Sequence, residues 1–299
     1  MEDEILSYMP LHIRNKLEHL KFDFGQVNEI RIRMQRALIF RMGEKEVYLA
    51  EDKISDRIEE AYQIKKSDMD EMTEYVFGHS KYAHNEELKQ GFLTLKGGHR
   101  IGFGGNVIVE EDKIKGISEI TCMNIRIAHE IKGCTKQILP YLIRKGRIEN
   151  TMIISPPGLG KTTVLRDLIR FISNGQAGIK GKNVTVIDER SEIASCYQGI
   201  PMNDVGCRTD VLDKCPKARG IQMAIRSLAP DVIAVDEIGG QEDVDAICNA
   251  AHCGCSILAT MHGKNMDDIK GKTEIKELIR QNLFQHFIVI LERGKYECI

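Results

Sequence analysis

The spacing of apolar residues changes near residue 150. Beyond it, short unbroken apolar runs recur: TMIIS (151–155), NVTVID (183–188), DVIAVD (231–236), CSILATMH (255–262) and HFIVILE (286–292). Runs of this length without alternation read as strands buried on both faces. Between the first two, Val164, Leu165, Leu168, Ile169 and Ile172 recur at helical spacing, and Ile221, Ala224, Ile225 and Leu228 do so before the third. Strands alternating with helices predict an α/β domain with a mainly parallel sheet.

Before residue 150 the pattern differs. EIRIRM (29–34) and NIRIAH (124–129) alternate apolar with polar or basic residues, as half-exposed strands do. GFLTLKGGHRIGFGGNVIVEEDKI (91–114) reads as a glycine-rich hairpin or meander turning at Gly97 and Gly98. Helical stretches near 11–21 and 54–80 accompany these strands, which predicts a smaller α+β domain. GCTKQILPYLIRKGRIEN (133–150) is expected to form a helix, kinked or started by Pro140, that crosses into the second domain. The expected division is an N-terminal α+β domain over 1–135 and a nucleotide-binding domain over 136–299.

Composition adds limits. A chain of 299 residues, 42% hydrophobic and 29% charged, is large enough for one big core or two modest ones. A net charge of −2 and a pI near 6.5 give no global attraction for nucleic acid or an anionic membrane, although a local basic face can hide in a balanced total. No run approaches the roughly 20 apolar residues of a membrane span. The acidic start MEDEILSYMP lacks the basic and apolar regions of a signal peptide, so a cytoplasmic location is expected. Nine scattered cysteines fit reduced thiols. Cys248, His252, Cys253 and Cys255 gather metal-ligating residue types, but no second pair has zinc-site spacing, and thiols packed at a helix end are the plainer reading.

Chemistry concentrates at SPPGLGKTT, whose members are Ser155, Pro156, Pro157, Gly158, Leu159, Gly160, Lys161, Thr162 and Thr163. A phosphate-binding P-loop of the form G-x-x-x-x-G-K-[ST] opens on glycine, and this one opens on Ser155. The context is nevertheless right, with a buried strand before the loop and the amphipathic KTTVLRDLIRFI after it. In such a loop glycines allow the backbone to approach the phosphates at a helix N-terminus. Lys161 would meet the β- and γ-phosphates of ATP, and the Thr162 hydroxyl would ligate Mg²⁺.

DVIAVDEIGG supplies the second signal. A strand ending in Asp236 and Glu237 sets one carboxylate near the magnesium shell and the next beside the γ-phosphate, where it can activate water. Ligands in an open parallel sheet bind beyond the carboxyl ends of the strands. That places Asp188, Glu189, Arg190 and Glu192 of VIDERSE, and Thr260 and His262 of ATMHG, in the same neighbourhood. By itself His262 also fits an ordinary surface or core histidine.

These segments, with NDVGCRTDVLD, CPKARG and MAIRSLAPDVIAVDEIGG, closely resemble the stage III sporulation protein AA family, relatives of the type II and type IV secretion ATPases. NEIRIRM, LKGGHRIGFGG and NIRIAHEIKG extend the resemblance over most of the chain. The resemblance implies a RecA-like P-loop ATPase domain behind a smaller N-terminal domain. VIDERSE and ATMHG look like the acidic and histidine boxes of secretion ATPases, so Asp188, Glu189 and His262 join Glu237 and Lys161 as candidate catalytic residues, His262 as a γ-phosphate sensor. Asp188-Glu189-Arg190 departs from the usual glutamate, aspartate, proline of the acidic box. The resemblance further implies a homo-hexamer at the cytoplasmic face of a channel complex between mother cell and forespore, formed with other stage III sporulation proteins. An arginine supplied in trans would come from Arg100, Arg126, Arg190, Arg208 or Arg226, each of which also fits an ordinary salt-bridging role. Two alternatives stay open: a RecA-like DNA-processing ATPase, disfavoured by the absence of Trp and 6% aromatic content, and a non-hydrolysing nucleotide-gated scaffold, which would not need Glu237.

Overall fold

The computed structural model describes residues 2–78, 88–89, 91–176 and 178–299, the side chains of residues 273 and 274 excepted. Met1–His129 and Glu130–Ile299 form two compact units.

In the first unit, α1 (Glu2–Leu6) and α2 (Leu11–His19) precede β1 (Glu29–Arg33), β2 (Ile39–Met42), β3 (Lys45–Leu49) and β4 (Ile54–Ser55). After them come α3 (Lys66–Phe77), β5 (Phe92–Thr94), β6 (Arg100–Glu110) and β7 (Lys113–Arg126). The strands form one sheet in the order β4-β3-β2-β1-β7-β6-β5, every pair antiparallel. Alternation does what the sequence predicts: Ile30 and Ile32 of β1 are fully buried while Arg31 and Arg33 are only partly covered. The core beneath gathers Phe22, Phe24 and Phe40 in mutual ring contact with Met69 and Met72 of α3.

Two expectations change here. The helical stretch placed at 54–80 begins as β4 and a 3-10 turn at Ile58–Glu60, and only Lys66–Phe77 is α-helical. Asp68 sets that start by accepting the Lys65 N–H at 2.8 Å and the Tyr62 hydroxyl at 2.7 Å. Residues 79 and 80 of the stretch lie outside the described residues. Gly97 and Gly98, at φ 82° and 78°, do turn the chain between β5 and β6. A second turn follows at Glu111 and Asp112, both left-handed at φ 50° and 57°, the pattern of a tight two-residue hairpin. Of the strand read at 124–129, residues 124–126 are the end of the long β7 and 127–129 lie beyond it.

The second unit opens differently from expectation as well. In place of a helix, 133–150 holds a 3-10 turn at Leu139–Leu142 and a small hairpin of β8 (Ile143–Arg144) and β9 (Arg147–Ile148). Pro140 has no N–H for a helical ladder, and Lys145 and Gly146 turn the hairpin at φ 50° and 75°. Next come β10 (Thr151–Ser155), α4 (Lys161–Asn174), β11 (Val184–Asp188), β12 (Thr209–Asp213) and α5 (Lys217–Ser227). They lead to β13 (Val232–Val235), α6 (Gln241–His252), β14 (Ser256–His262), α7 (Met266–Lys270), α8 (Thr273–Arg280), β15 (His286–Glu292) and β16 (Lys295–Cys298). The sheet order is β12-β11-β13-β14-β10-β15-β16, parallel except for β16 against β15.

Both faces of this sheet are covered, which is why its strands lack alternation. On one face Ile153, Val186, Ala234, Leu258 and Ile288 pack with Leu165, Leu168, Ile169 and Ile172 of α4. On the other, Met152, Ile154, Ile187, Ile233 and Ile257 pack with Ile221, Ile247, Ile269 and Leu278 from α5 to α8. Cys248 lies on α6 with its Sγ 3.5 Å from Gln281 Oε1, Cys255 donates to the Pro230 carbonyl and Cys253 is exposed. Among the described residues no group of three or more His, Cys, Asp or Glu is placed to hold a metal, and no helix is long and apolar enough to cross a membrane.

Candidate nucleotide site

The parallel register brings the carboxyl ends of four strands to one rim. Ser155 of β10 lies opposite His262 of β14, Ala259 of β14 opposite Val235 of β13, and Val235 opposite Ile187 of β11. Every candidate acid of the second unit follows or ends one of these strands.

Ser155 is fully buried, and its hydroxyl donates to the Pro156 carbonyl at 2.7 Å, so the side chain turns into the loop base. Pro156, Pro157, Gly158 and Leu159 complete the turn to Gly160, the N-cap of α4. Gly158 at φ 81° and Gly160 at φ 96° occupy backbone conformations that side chains rarely adopt. Arg293, in the turn between β15 and β16, donates to the Gly158 carbonyl at 3.4 Å. Lys161 opens α4 and is buried; Thr162 and Thr163 follow it in the first turn.

Two side-chain pairs tie this loop to the end of β13. The Thr162 hydroxyl donates to Asp236 Oδ2 at 2.9 Å, and Lys161 Nζ donates to Glu237 Oε1 at 3.2 Å. The neighbouring acids are aimed at different partners because Glu237 is left-handed at φ 46°, a conformation a glutamate holds only where its surroundings fix it. Thr260, fully buried at the end of β14, does much of that fixing: its hydroxyl donates to Asp236 Oδ1 and accepts the Glu237 N–H at 2.9 Å.

Glu237 is the centre of the cluster. Besides Lys161 it meets His262 Nε2 on the same oxygen, and Arg190 at 3.1 Å on Oε2. Burial would raise its pKa, but Lys161, His262 and Arg190 together hold the carboxyl below its usual range. The other ring nitrogen of His262, Nδ1, is buried without a hydrogen-bond partner among the described residues.

The acidic segment after β11 splits into distinct roles. Asp188 is buried and points into the chain, accepting the N–H groups of Glu192, Ile193 and Ala194 at 2.8, 3.0 and 2.8 Å. Burial pushes its carboxyl above the usual aspartate value although these donors oppose that shift. Glu189 is exposed and pairs with Lys217. Glu189, Arg190, Asp236 and Glu237 nonetheless line one small cleft.

Of the other arginines, Arg208 stands before β12 and donates to the Ser173 carbonyl at 3.0 Å, at the opposite end of α4 from the P-loop. Arg226 lies exposed in the last turn of α5. In the first unit Arg100 and Arg126 face each other across β6 and β7, with the Arg100 guanidinium 4.8 Å from the Phe92 ring centre. Sequence reading gave no role to Lys217, Arg293 or Arg166, whose guanidinium donates to the Glu192 and Ile193 carbonyls. Each is a cation that belongs to no motif, and only tertiary structure reveals its partner.

The residues present fit a magnesium-bound nucleotide. A hydroxyl and a carboxylate already paired, Thr162 and Asp236, match hard-cation ligands, and Lys161, Arg190 and the His262 ring converge beside them on one anionic group.

Known proteins share the fold and, for one family, the sequence. The Legionella pneumophila ATPase DotB superposes with a TM-score of 0.60 at 15% identity, covering 94% of this chain and 76% of that one. The pilus retraction motor PilT with bound ADP gives a TM-score of 0.60 at 15% identity, covering 94% and 77%. At such identity the likeness concerns the fold alone. Sequence is more specific: stage III sporulation protein AA of Bacillus subtilis is 39% identical over 295 residues, 98% of this chain and 92% of that protein. With the family described as sporulation stage III, protein AA matching residues 1–298, the chain belongs to the stage III sporulation protein AA family.

Proposed function

We propose that this protein is a magnesium-dependent ATPase that drives a secretion-like channel complex during sporulation. The observation that carries the reading is the grip of Lys161, His262 and Arg190 on Glu237, next to the Thr162–Asp236 pair. Lys161, Arg190 and a ring nitrogen of His262 are the groups a γ-phosphate needs.

In the proposed reaction a water oxygen attacks the γ-phosphorus of ATP in line with the bond to the β-phosphate oxygen. Glu237 orients that water and takes its proton as the new P–O bond forms and ADP leaves. Lys161 neutralises charge on the β- and γ-oxygens, and His262 and Arg190 move from Glu237 to the γ-phosphate. Mg²⁺, held by Thr162 and by Asp236 directly or through water, would polarise the phosphates. Thr260 keeps Asp236 and Glu237 at their separate tasks.

Membership of a sporulation family and a secretion-ATPase fold support the further proposal of a homo-hexamer. It would work at the cytoplasmic face of the membranes between mother cell and forespore, docked on other stage III sporulation proteins. Its sites would be completed in trans by Arg100 or Arg126. ATP turnover measured with Mg²⁺ or with EDTA, with and without single-stranded DNA, tests the chemistry. Turnover absent with Mg²⁺, or present only with DNA, would defeat this reading. Mass in solution with ATP and Mg²⁺ tests the ring.

A further inference from the structure

Between Glu189 and Cys196 the chain leaves β11 and doubles back, with Ser191 and Ser195 left-handed at φ 53° and 50°. Such conformations are unfavourable for serine and persist only where the surroundings over-determine them. Here they are held from two sides. The Asp188 carboxylate takes the N–H groups of Glu192, Ile193 and Ala194. Arg166 of α4 takes the carbonyls, donating Nε to Ile193 at 2.5 Å and a terminal nitrogen to Glu192 at 2.7 Å. Asn203 adds a donor to the Ile193 carbonyl at 3.0 Å, and Ser191 Oγ accepts the Cys196 N–H at 3.2 Å. One anion and one cation thus satisfy both the amide and the carbonyl groups of the same two residues.

What this loop carries is Arg190. Of the three side chains on Glu237, Lys161 belongs to α4 and His262 to β14, whose backbones are fixed by helix and sheet. Arg190 alone projects from irregular chain, so its reach to Glu237 depends on how that chain is held. Arg166 lies on the same helix as Lys161, five residues on, which makes α4 the common support of both cations.

We infer that Arg166 and Asp188 are positioning residues for the Arg190 guanidinium: they clamp the 189–196 loop from both sides so that it stays on Glu237. The effect on catalysis rests on the proposed role of Glu237, but the clamp itself can be tested without turnover. Asp188 then acts through backbone geometry and touches neither nucleotide nor metal.

Two measurements decide it. In Arg166→Gln, amide hydrogen exchange over 191–196 should quicken about 10-fold or more while β10 and β13 keep their protection. In a turnover cycle, Arg166→Gln should lower the rate about 10-fold in the wild-type background, yet change it less than about 2-fold when Arg190 is already alanine. A residue needed only for stability would lower both backgrounds alike. Asp188→Asn, with one acceptor oxygen for three N–H groups, should behave as Arg166→Gln does. If Arg166→Gln fails to fold, Arg166→Lys, which keeps a charge and loses the fork, is read by the same outcomes. Unchanged exchange over 191–196, or equal losses in both backgrounds, overturns the inference. A wild-type protein without turnover would defeat the proposed function and leave the exchange measurement to decide the clamp.

Discussion

Lys161 Nζ sits 3.2 Å from Glu237 Oε1, so the P-loop lysine is engaged by the acid proposed to act on the water. In the proposed reaction this lysine neutralises the β- and γ-phosphates beside that acid. Lys161→Ala should therefore lower ATP turnover by about 10²-fold or more and weaken nucleotide binding, with the fold intact by circular dichroism. Undiminished turnover in this variant would end the P-loop reading.

Glu237→Gln separates binding from chemistry. Glutamine keeps the shape and loses both the base and the charge that attracts Lys161, His262 and Arg190. Turnover should drop about 10²-fold or more, while ATP affinity, read by fluorescent-nucleotide titration, should rise because a negative charge beside the phosphates is removed. Weaker binding would instead assign Glu237 to the metal.

The fate of particular residues shows how far sequence can reach. The runs that became β10 and β15 are read with their observed bounds: β10 is buried along its whole length and so apolar, and β15, buried at its centre, carries its apolar run on to the exposed Leu291. Lys161, Thr162, Asp236, Glu237 and His262 were legible for a related reason: each follows or ends such a strand. The helix expected at 133–150 was not, because the apolar residues of a short 3-10 turn and hairpin imitate helical spacing. Asp188 marks the harder limit. Its position beyond a strand is that of a site acid, and only the three N–H groups folding back on it reveal what its carboxylate touches.

Thr260 carries a prediction of its own. Thr260→Val leaves volume nearly unchanged but removes the hydroxyl that donates to Asp236 and accepts the Glu237 N–H. Stability should fall by about 1–2 kcal/mol. Turnover should fall by about 10-fold or more, chiefly through a higher Mg²⁺ requirement as Asp236 loses its orientation. A magnesium titration that superposes on the wild type would remove Thr260 from the site.

His99 makes the first unit sensitive to acid. It is buried, its Nδ1 accepts the Ala128 N–H at 3.1 Å, and Nε2 has no hydrogen-bond partner among the described residues. Burial lowers its pKa to about 4 from 6.5. The unfolded chain then binds a proton below pH 6.5 that the folded unit refuses until about pH 4. Stability should be fully present above the upper value and decline through this window, by roughly 3 kcal/mol at most. His99→Gln retains an acceptor for Ala128 and should flatten that part of the pH profile of unfolding. An unchanged slope would mean that carboxylates alone set it.

The last prediction concerns sharing of the site between subunits. Arg100 and Arg126 stand opposite each other across β6 and β7, two cations on adjacent strands in the unit that lacks the P-loop. Both carry planar forks of donors suited to phosphate oxygens, and in the proposed ring the phosphates of a neighbour's nucleotide would be their acceptor. An arginine given in trans can be worth about 10³-fold or more in phosphoryl transfer, so Arg100→Ala and Arg126→Ala should cut turnover with little loss of nucleotide binding. A Glu237→Gln subunit is dead in its own site but keeps both arginines; an Arg100→Ala subunit keeps the acid. Mixed, the two should recover part of the activity, because some interfaces join an intact acid to an intact arginine. If mass measurement shows co-assembly and the mixture stays inactive, Arg100 does not act across the interface, and the same mixing with Arg126→Ala decides whether its neighbour does.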